Sequence, residues 1–193
     1  MAGWSGVNEY SLNKLGAYHM IGDDDYEPQR NNNFEIHIYG LSGLVTVDKG
    51  IKIPQDVAEE SITLSTVSVA QINTNVGILT IPYGNTKVKY AGLPEISDSD
   101  VVFNDYIGKS TERILAAWHA LVFNPKTEKI GRASVYKKPG VLIETAPDGT
   151  RARAWQLKGV WPSNLQYGGY DYNGGATRQI TATFTYDIAI PLD

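Results

Sequence analysis

One stretch near the C-terminus constrains this chain more than any other. From Thr177 to Ile190 apolar and polar residues alternate without a break. Ile180, Ala182, Phe184, Tyr186, Ile188 and Ile190 fall on one side; Thr181, Thr183, Thr185, Asp187 and Ala189 fall on the other. Side chains alternate across a strand, so the pattern predicts one long ribbon with a buried face and a wet or partner-facing face. A strand of that length must lie in a sheet that is equally long.

The rest of the chain repeats the theme. Residues 34–40, 44–48, 62–69, 76–83, 86–91, 134–144 and 151–161 read as strands, several with strict alternation. Turn signals separate them at spacings of about ten residues, the rhythm of a sandwich or barrel. Ala146-Pro147-Asp148-Gly149-Thr150 is the strongest turn, because Pro presets one backbone angle and Gly supplies a positive one. Lys158-Gly159-Val160-Trp161-Pro162-Ser163-Asn164 reads as a breaker, with Pro162 ending its strand because it lacks an N–H. One segment has a different period. Ser110-Thr111-Glu112 opens it with a capping residue and an early carboxylate. Ile114, Leu115, Trp118, Leu121 and Val122 then recur at three- and four-residue spacing, and Asn124-Pro125 closes it. This predicts a single helix over 110–123, lying on a sheet face or a barrel end.

The expected architecture is mainly β: a two-sheet antiparallel barrel or sandwich with one helix. Residues 33–193 form one domain, and 1–32 form an arm. Within the arm, Trp4, Tyr10, Leu12, Leu15 and Tyr18 suggest a role other than a loose tail. With 193 residues, 42% hydrophobic and 20% charged, the chain can bury a core of its own. There is no cysteine, hence no disulfide and no thiolate metal site. The N-terminus lacks the pattern of a signal peptide, and no apolar run reaches the ~20 residues that span a bilayer. The expectation is a soluble product of the cytoplasm.

The chemistry encoded is sparse. Gly108-Lys109-Ser110 before a helix imitates the end of a phosphate loop, but the Gly required five residues before the Gly-Lys pair is Phe103. His19, His37 and His119 are not at ligand spacing, and neither Asp23-Asp24-Asp25 nor the group Asp98, Asp100 and Asp105 follows the calcium-loop pattern. No nucleophile elbow is present. The expectation is therefore no enzyme, no cofactor and no metal. The net charge of −4 argues against binding nucleic acid through its phosphates. Tyr167, Tyr170 and Tyr172, interleaved with Gly, have two readings. They are rings packed on a neighbouring sheet or subunit, or a stacking platform for sugars in a carbohydrate-binding sandwich.

Tyr136-Lys137-Lys138 comes before a hairpin, and a strand then leads into the Lys-Gly-Val-Trp-Pro-Ser-Asn block at 158–164. In these motifs the C-terminal third resembles the tail tube protein of contractile-tailed bacteriophages. A polar turn and the closing strand Thr181 to Asp187 follow in the family's order. The helix with Trp118 and the opening Asn33-Phe34-Glu35-Ile36 strand also fit. The resemblance spans about 33–193 and is specific over 157–187. It implies homohexameric rings, joined by strand pairing between subunits and stacked into a tube. DNA would pass through the lumen without specific binding during ejection into the host. Partners would be the tail sheath, tape-measure, baseplate and tail-terminator proteins. The product would assemble in the host cytoplasm and end in the virion. On this reading Trp118, Lys158, Gly159, Trp161 and Pro162 are structural or interface residues, and Thr181, Thr183 and Thr185 face the lumen. An alternative within the same fold is the inner tube of a type VI or related contractile injection system.

Overall fold

The computed structural model describes residues 29–47, 50–108, 110–172 and 175–192. Most of the arm expected over 1–32 lies outside the described residues, as do Asp48, Lys49, Lys109, Asn173 and Gly174.

The chain is mainly β. In order, it forms β1 (Phe34–Ile38), α1 (Gln55–Ser65), β2 (Thr66–Val69), β3 (Thr74–Tyr83), β4 (Thr86–Ile96) and β5 (Ser99–Asn104). Next come α2 (Thr111–Val122), the short pair β6 (Phe123–Asn124) and β7 (Lys129–Ile130), and one helical turn, α3 (Ala133–Tyr136). Then follow β8 (Lys138–Thr145), β9 (Arg151–Tyr167), β10 (Gln179–Thr185) and β11 (Ile188–Leu192). Seven strands form one antiparallel sheet in the order β1-β8-β9-β10-β5-β2, with β11 also on β9. The sheet is open: the path ends at β1 and β2, which do not pair with each other. Of the expected barrel or sandwich, the mainly β antiparallel architecture is present, as an open sheet folded over its own core and not as a closed barrel. The two ends face each other across a cleft of about 760 Å³, with Phe34 and Leu142 on one side and Thr66 and Val69 on the other.

β9 organises the sheet. One edge of β9 pairs with β8, and the other takes β11 along Ala154–Lys158 and β10 along Trp161–Tyr167. Thr185 lies opposite Trp161 and Ile188 opposite Lys158, so β10 and β11 run in one register along one edge. The long closing ribbon is present, but interrupted at Tyr186 and Asp187. The interruption changes which side chains point inward. Ile180, Ala182, Phe184 and Tyr186 are buried; the next residue inward is Ala189, and Ile188 is 43% exposed. The expectation that Ile188 and Ile190 continue the buried face is therefore corrected. β9 makes the same three-residue step at the same level, from Val160 to Leu157, both buried.

The cause is Gly159. It sits at φ +72, a conformation that costs other residues a clash between Cβ and the backbone. A Cβ there would collide with the Asp187 carboxylate. That carboxylate forms an ion pair with Lys137 Nζ, at 2.6 and 2.8 Å to its two oxygens. A second irregularity follows at Ser163, which bulges where Thr183 pairs with Asn164 and Phe184 with Pro162. Its hydroxyl donates to the Thr183 carbonyl at 3.1 Å. Pro162 therefore does not end the strand. β9 runs on to Tyr167, because Pro is tolerated beside a bulge where a ladder bond is already missing.

The helix expected over 110–123 is present. Ser110 caps it, its Oγ accepting from the Arg113 N–H, and Ile114, Leu115 and Trp118 are buried. Trp118 lies 5.4 Å from the Phe184 ring and Phe184 6.1 Å from Phe103, so the helix closes on the inward face of β10 and β5. A second helix, α1, replaces the strand expected over 62–69. Ala58, Ser61, Ile62 and Ser65 are buried at helical spacing, and Leu64 is 67% exposed. Only Thr66–Val69 of that stretch is strand. Residues 134–144 are likewise divided, between the turn α3 and β8. The strand expected over 44–48 is reduced to a single bridge from Val45 to Lys52.

Replacing Gly159 by Ala should destabilise the fold by about 1–3 kcal/mol, from the strained backbone and the displaced Asp187. Chemical denaturation of the two proteins measures it; an unchanged midpoint would show that the corner does not need the glycine.

Candidate assembly surfaces

The Lys158–Pro162 block forms this corner. Val160 and Pro162 are buried, Trp161 is half-buried, and Lys158 is exposed opposite Ile188. The Trp161 ring meets Tyr136 edge-on at 5.5 Å. The backbone carbonyl of Tyr136 accepts the indole N–H of the fully buried Trp118 at 2.8 Å. The two tryptophans are thus joined through one residue of α3, which links α2, β8 and β9. His119, one residue along α2, hydrogen-bonds the Ser163 backbone at the bulge, while burial holds its imidazole below the ordinary value of 6.5.

Thr181, Thr183 and Thr185 are half-buried on the face turned away from the core. Register brings Val102 and Gln166 beside Thr181, Asp100 and Asn164 beside Thr183, and Trp161 beside Thr185. Thr183 Oγ1 donates to Asp100 at 2.6 Å, and Gln179 Nε2 to Asn104 at 3.5 Å. Such cross-strand polar pairs hold the face flat and ordered. None of the positions paired along this face of β5, β10 and the end of β9 is Lys or Arg. β5 itself has no counterpart in the sequence reading, which saw only its acidic flanks.

The hairpin β3–β4 is the second surface. No other strand pairs with it among the described residues. Leu79 faces Tyr90, Ile81 faces Val88 and Tyr83 faces Thr86, so one side is almost wholly apolar. Those five large side chains are 37–76% exposed. The other side carries Lys87 opposite Pro82 and Lys89 opposite Thr80. A lone two-stranded ribbon is marginal in water, and an apolar face this open marks a contact surface. The hairpin bends at a bulge where Gly92 passes the Gly77 carbonyl too closely for a Cβ, which would lie at 2.9 Å.

Tyr167, Tyr170 and Tyr172 are all exposed, by 50%, 84% and 108%. Tyr170 lies under the Arg178 guanidinium, 4.9 Å from its ring centre. Arg178 also bonds Glu112 at 2.5 Å and Asp105 at 3.2 Å, which fixes the loop before β10 to the start of α2. The Glu112 carboxylate pushes the Arg178 pKa up. Among the described residues no three His, Asp or Glu gather as metal ligands, and no helix is long and apolar enough to cross a membrane.

His119 gives a pH dependence of definite sign. Its folded pKa is lowered, so the fold prefers the neutral ring. Its contribution is fully present above 6.5 and is lost as pH falls through the lowered folded value. His119→Gln should therefore show a shallower loss of melting temperature than the parent between neutral and mildly acidic pH. Parallel curves would exclude this ring as the cause.

No family model matches the sequence, and no curated protein matches it. Solved structures do share the fold. A chain of an extracellular contractile injection system, the PVC sheath–tube complex in the extended state, superposes with a TM-score of 0.61 at 16% identity. That alignment covers 86% of this chain and 93% of the other. A chain of the anti-feeding prophage cap, which terminates the tube of that prophage, gives 0.62 at 14% identity over 91% and 96% of the two chains. A chain of the anti-feeding prophage baseplate gives 0.60 at 10% identity over 86% and 96%. This chain therefore shares its overall fold with a chain of each of these complexes.

Proposed function

We propose that this chain is a structural subunit of the inner tube of a contractile tail or injection apparatus. The observation that carries the reading is the near-full-length correspondence with a chain of a sheath–tube complex. The physical features agree. Among the described residues the sheet has two unpaired ends, at β1 and β2, and the long hairpin has no partner strand outside itself. Such edges are aggregation hazards in a monomer, and pairing copies around a closed ring removes them.

In the phage form of this reading, six copies make a ring through strand pairing between subunits, and rings stack into a tube. Thr181, Thr183 and Thr185 then face the lumen. Their face offers hydroxyls, amides and one carboxylate, Asp100, but no cation to hold a phosphate backbone. DNA would slide past such a wall without being gripped. Trp118, Gly159 and Pro162 act from behind the wall, with Trp161 beside Thr185 and Lys158 opposite Ile188, and together they fix the corner from which β10 and β11 diverge. Residues 33–193 would be the ring-forming unit, with 1–32 as an arm between rings. The sheath, baseplate and terminator would be its partners, with a tape-measure protein in the lumen, and the product would assemble in the host cytoplasm and remain in the virion tail. The superposed chains come from contractile injection systems, which favours a second form of the reading: the same tube in such a system, with another cargo.

Sedimentation and electron microscopy of the purified full chain test the proposal. The expected result is a species of six chain masses that elongates into tubes as concentration rises. Single rings that never elongate would favour a cap or terminator role, and a monomer at high concentration would overturn the proposal.

A further inference from the structure

The hairpin carries two lysines that nothing on the hairpin answers. Lys87 and Lys89 are exposed, two residues apart on one face of β4, with Pro82 and Thr80 opposite. Two ammonium groups so placed repel each other, and like charges without a counter-charge weaken a ribbon that is already marginal. β4 has 11 residues, about 36 Å at ~3.3 Å per residue, and among the described residues it pairs with no strand except β3. The chain as a whole is acidic, at a net charge of −4. A second copy of itself is therefore a source of the missing carboxylates.

One groove elsewhere on the chain has the matching chemistry. It lies between the end of β1 and α1, with a volume of about 270 Å³. Glu59 and Glu60 lie along one wall and His37 along the other. Glu35 adjoins it, 3.1 Å from His37 Nε2. The groove also presents apolar surface: Leu64 is 67% exposed and Tyr39 45%. Tyr39 stacks on His37 at 6.1 Å, which gives that wall a flat side. Glu59 is held in place by accepting from the Gly40 N–H at 2.8 Å and from Gln55 at 2.7 Å. Carboxylates on a positioned wall beside open apolar surface suit a ribbon that has Ile78 and Ala91 in line with its lysines.

We propose that the Lys87/Lys89 face of the hairpin seats in the β1–α1 groove of a second copy, where Glu35 and Glu60 supply its counter-charges. This rests on the tube reading and names the contact between copies that would hold it together. The apolar side of the hairpin, with Leu79, Ile81 and Tyr83, then remains for another neighbour. Complementary charge fixes the register of such a contact and rejects a wrong one more than it adds affinity.

A charge-swap experiment on the full chain decides. Lys87→Glu with Lys89→Glu, and separately Glu35→Lys with Glu60→Lys, should each raise the concentration needed for assembly by roughly tenfold or more. A chain carrying all four changes should assemble like the parent, because each contact is restored with its sign reversed. Sedimentation and microscopy read assembly, and cooperative melting shows that each variant is folded. Where a reversed variant does not melt cooperatively, Lys87→Ala with Lys89→Ala replaces it; assembly should then weaken and lose its salt dependence. Unimpaired assembly of the folded lysine variant overturns the inference and leaves the tube reading standing. So does failure of the four-fold variant to recover. A parent chain that does not assemble overturns both.

Discussion

The fold depends on one constraint: β9 and the closing ribbon must change phase together. At Gly159 and Asp187 both strands take a three-residue step between inward side chains, Val160 to Leu157 and Tyr186 to Ala189. Two adjacent strands can do this only at the same level, or their ladder would break. Glycine makes the step possible on one strand. On the other, Asp187 leaves the regular ladder but keeps its N–H bonded to the Lys158 carbonyl at 2.9 Å. Lys137, just before β8, holds the Asp187 carboxylate over the glycine. Three strands therefore meet at one small contact, and the sheet's change of direction follows from it. The ion pair is partly exposed, so it sets geometry more than it adds stability.

From that corner the remaining elements take their places. β10 and β5 present Phe184 and Phe103 to α2, and Trp118 fills the space between. β8 and β1 cover the other half with Leu142, Ile36 and Ile38. The sheet stops short of closing, which leaves the β1 and β2 edges and the β3–β4 hairpin for contacts the single chain does not make. What is packed within one copy is ordinary core. What is left over is unpaired strand edge and exposed apolar ribbon.

Much of this was legible in the residues. The capping serine, early carboxylate and three-four spacing located α2 to within a residue. The alternation of 180–186 located β10 and its Thr face. Two features misled. Ile62 and Leu64 alternate with Thr63 and Ser65, yet this is the end of a helix that buries the small Ser61 and Ser65 and exposes Leu64. The truer signs were Pro54, the acidic Asp56 and the helix formers after them. In β5, Asp100 drew the eye from the alternation of Ser99, Val101 and Phe103. The phase change was hidden for a different reason. Ile188 and Ile190 continue the apolar pattern, and the step is set by Gly159 and by Lys137, 50 residues from Asp187. The Tyr-Gly loop and the hairpin lysines show the remaining limit: a sequence displays surface residues but not which of them the fold leaves uncovered.

The position of β10 in the chain has a consequence for timing. Phe184, Ala182 and Ile180 supply the inward side of the sheet's middle strand, with β9 on one edge and β5 on the other. Until residues 179–185 have been synthesised, β5 and β9 have no strand between them, and α2 has no Phe184 to pack on. A growing chain therefore holds its hairpin and earlier strands without a finished core, and the core closes only when β10 is laid between β5 and β9.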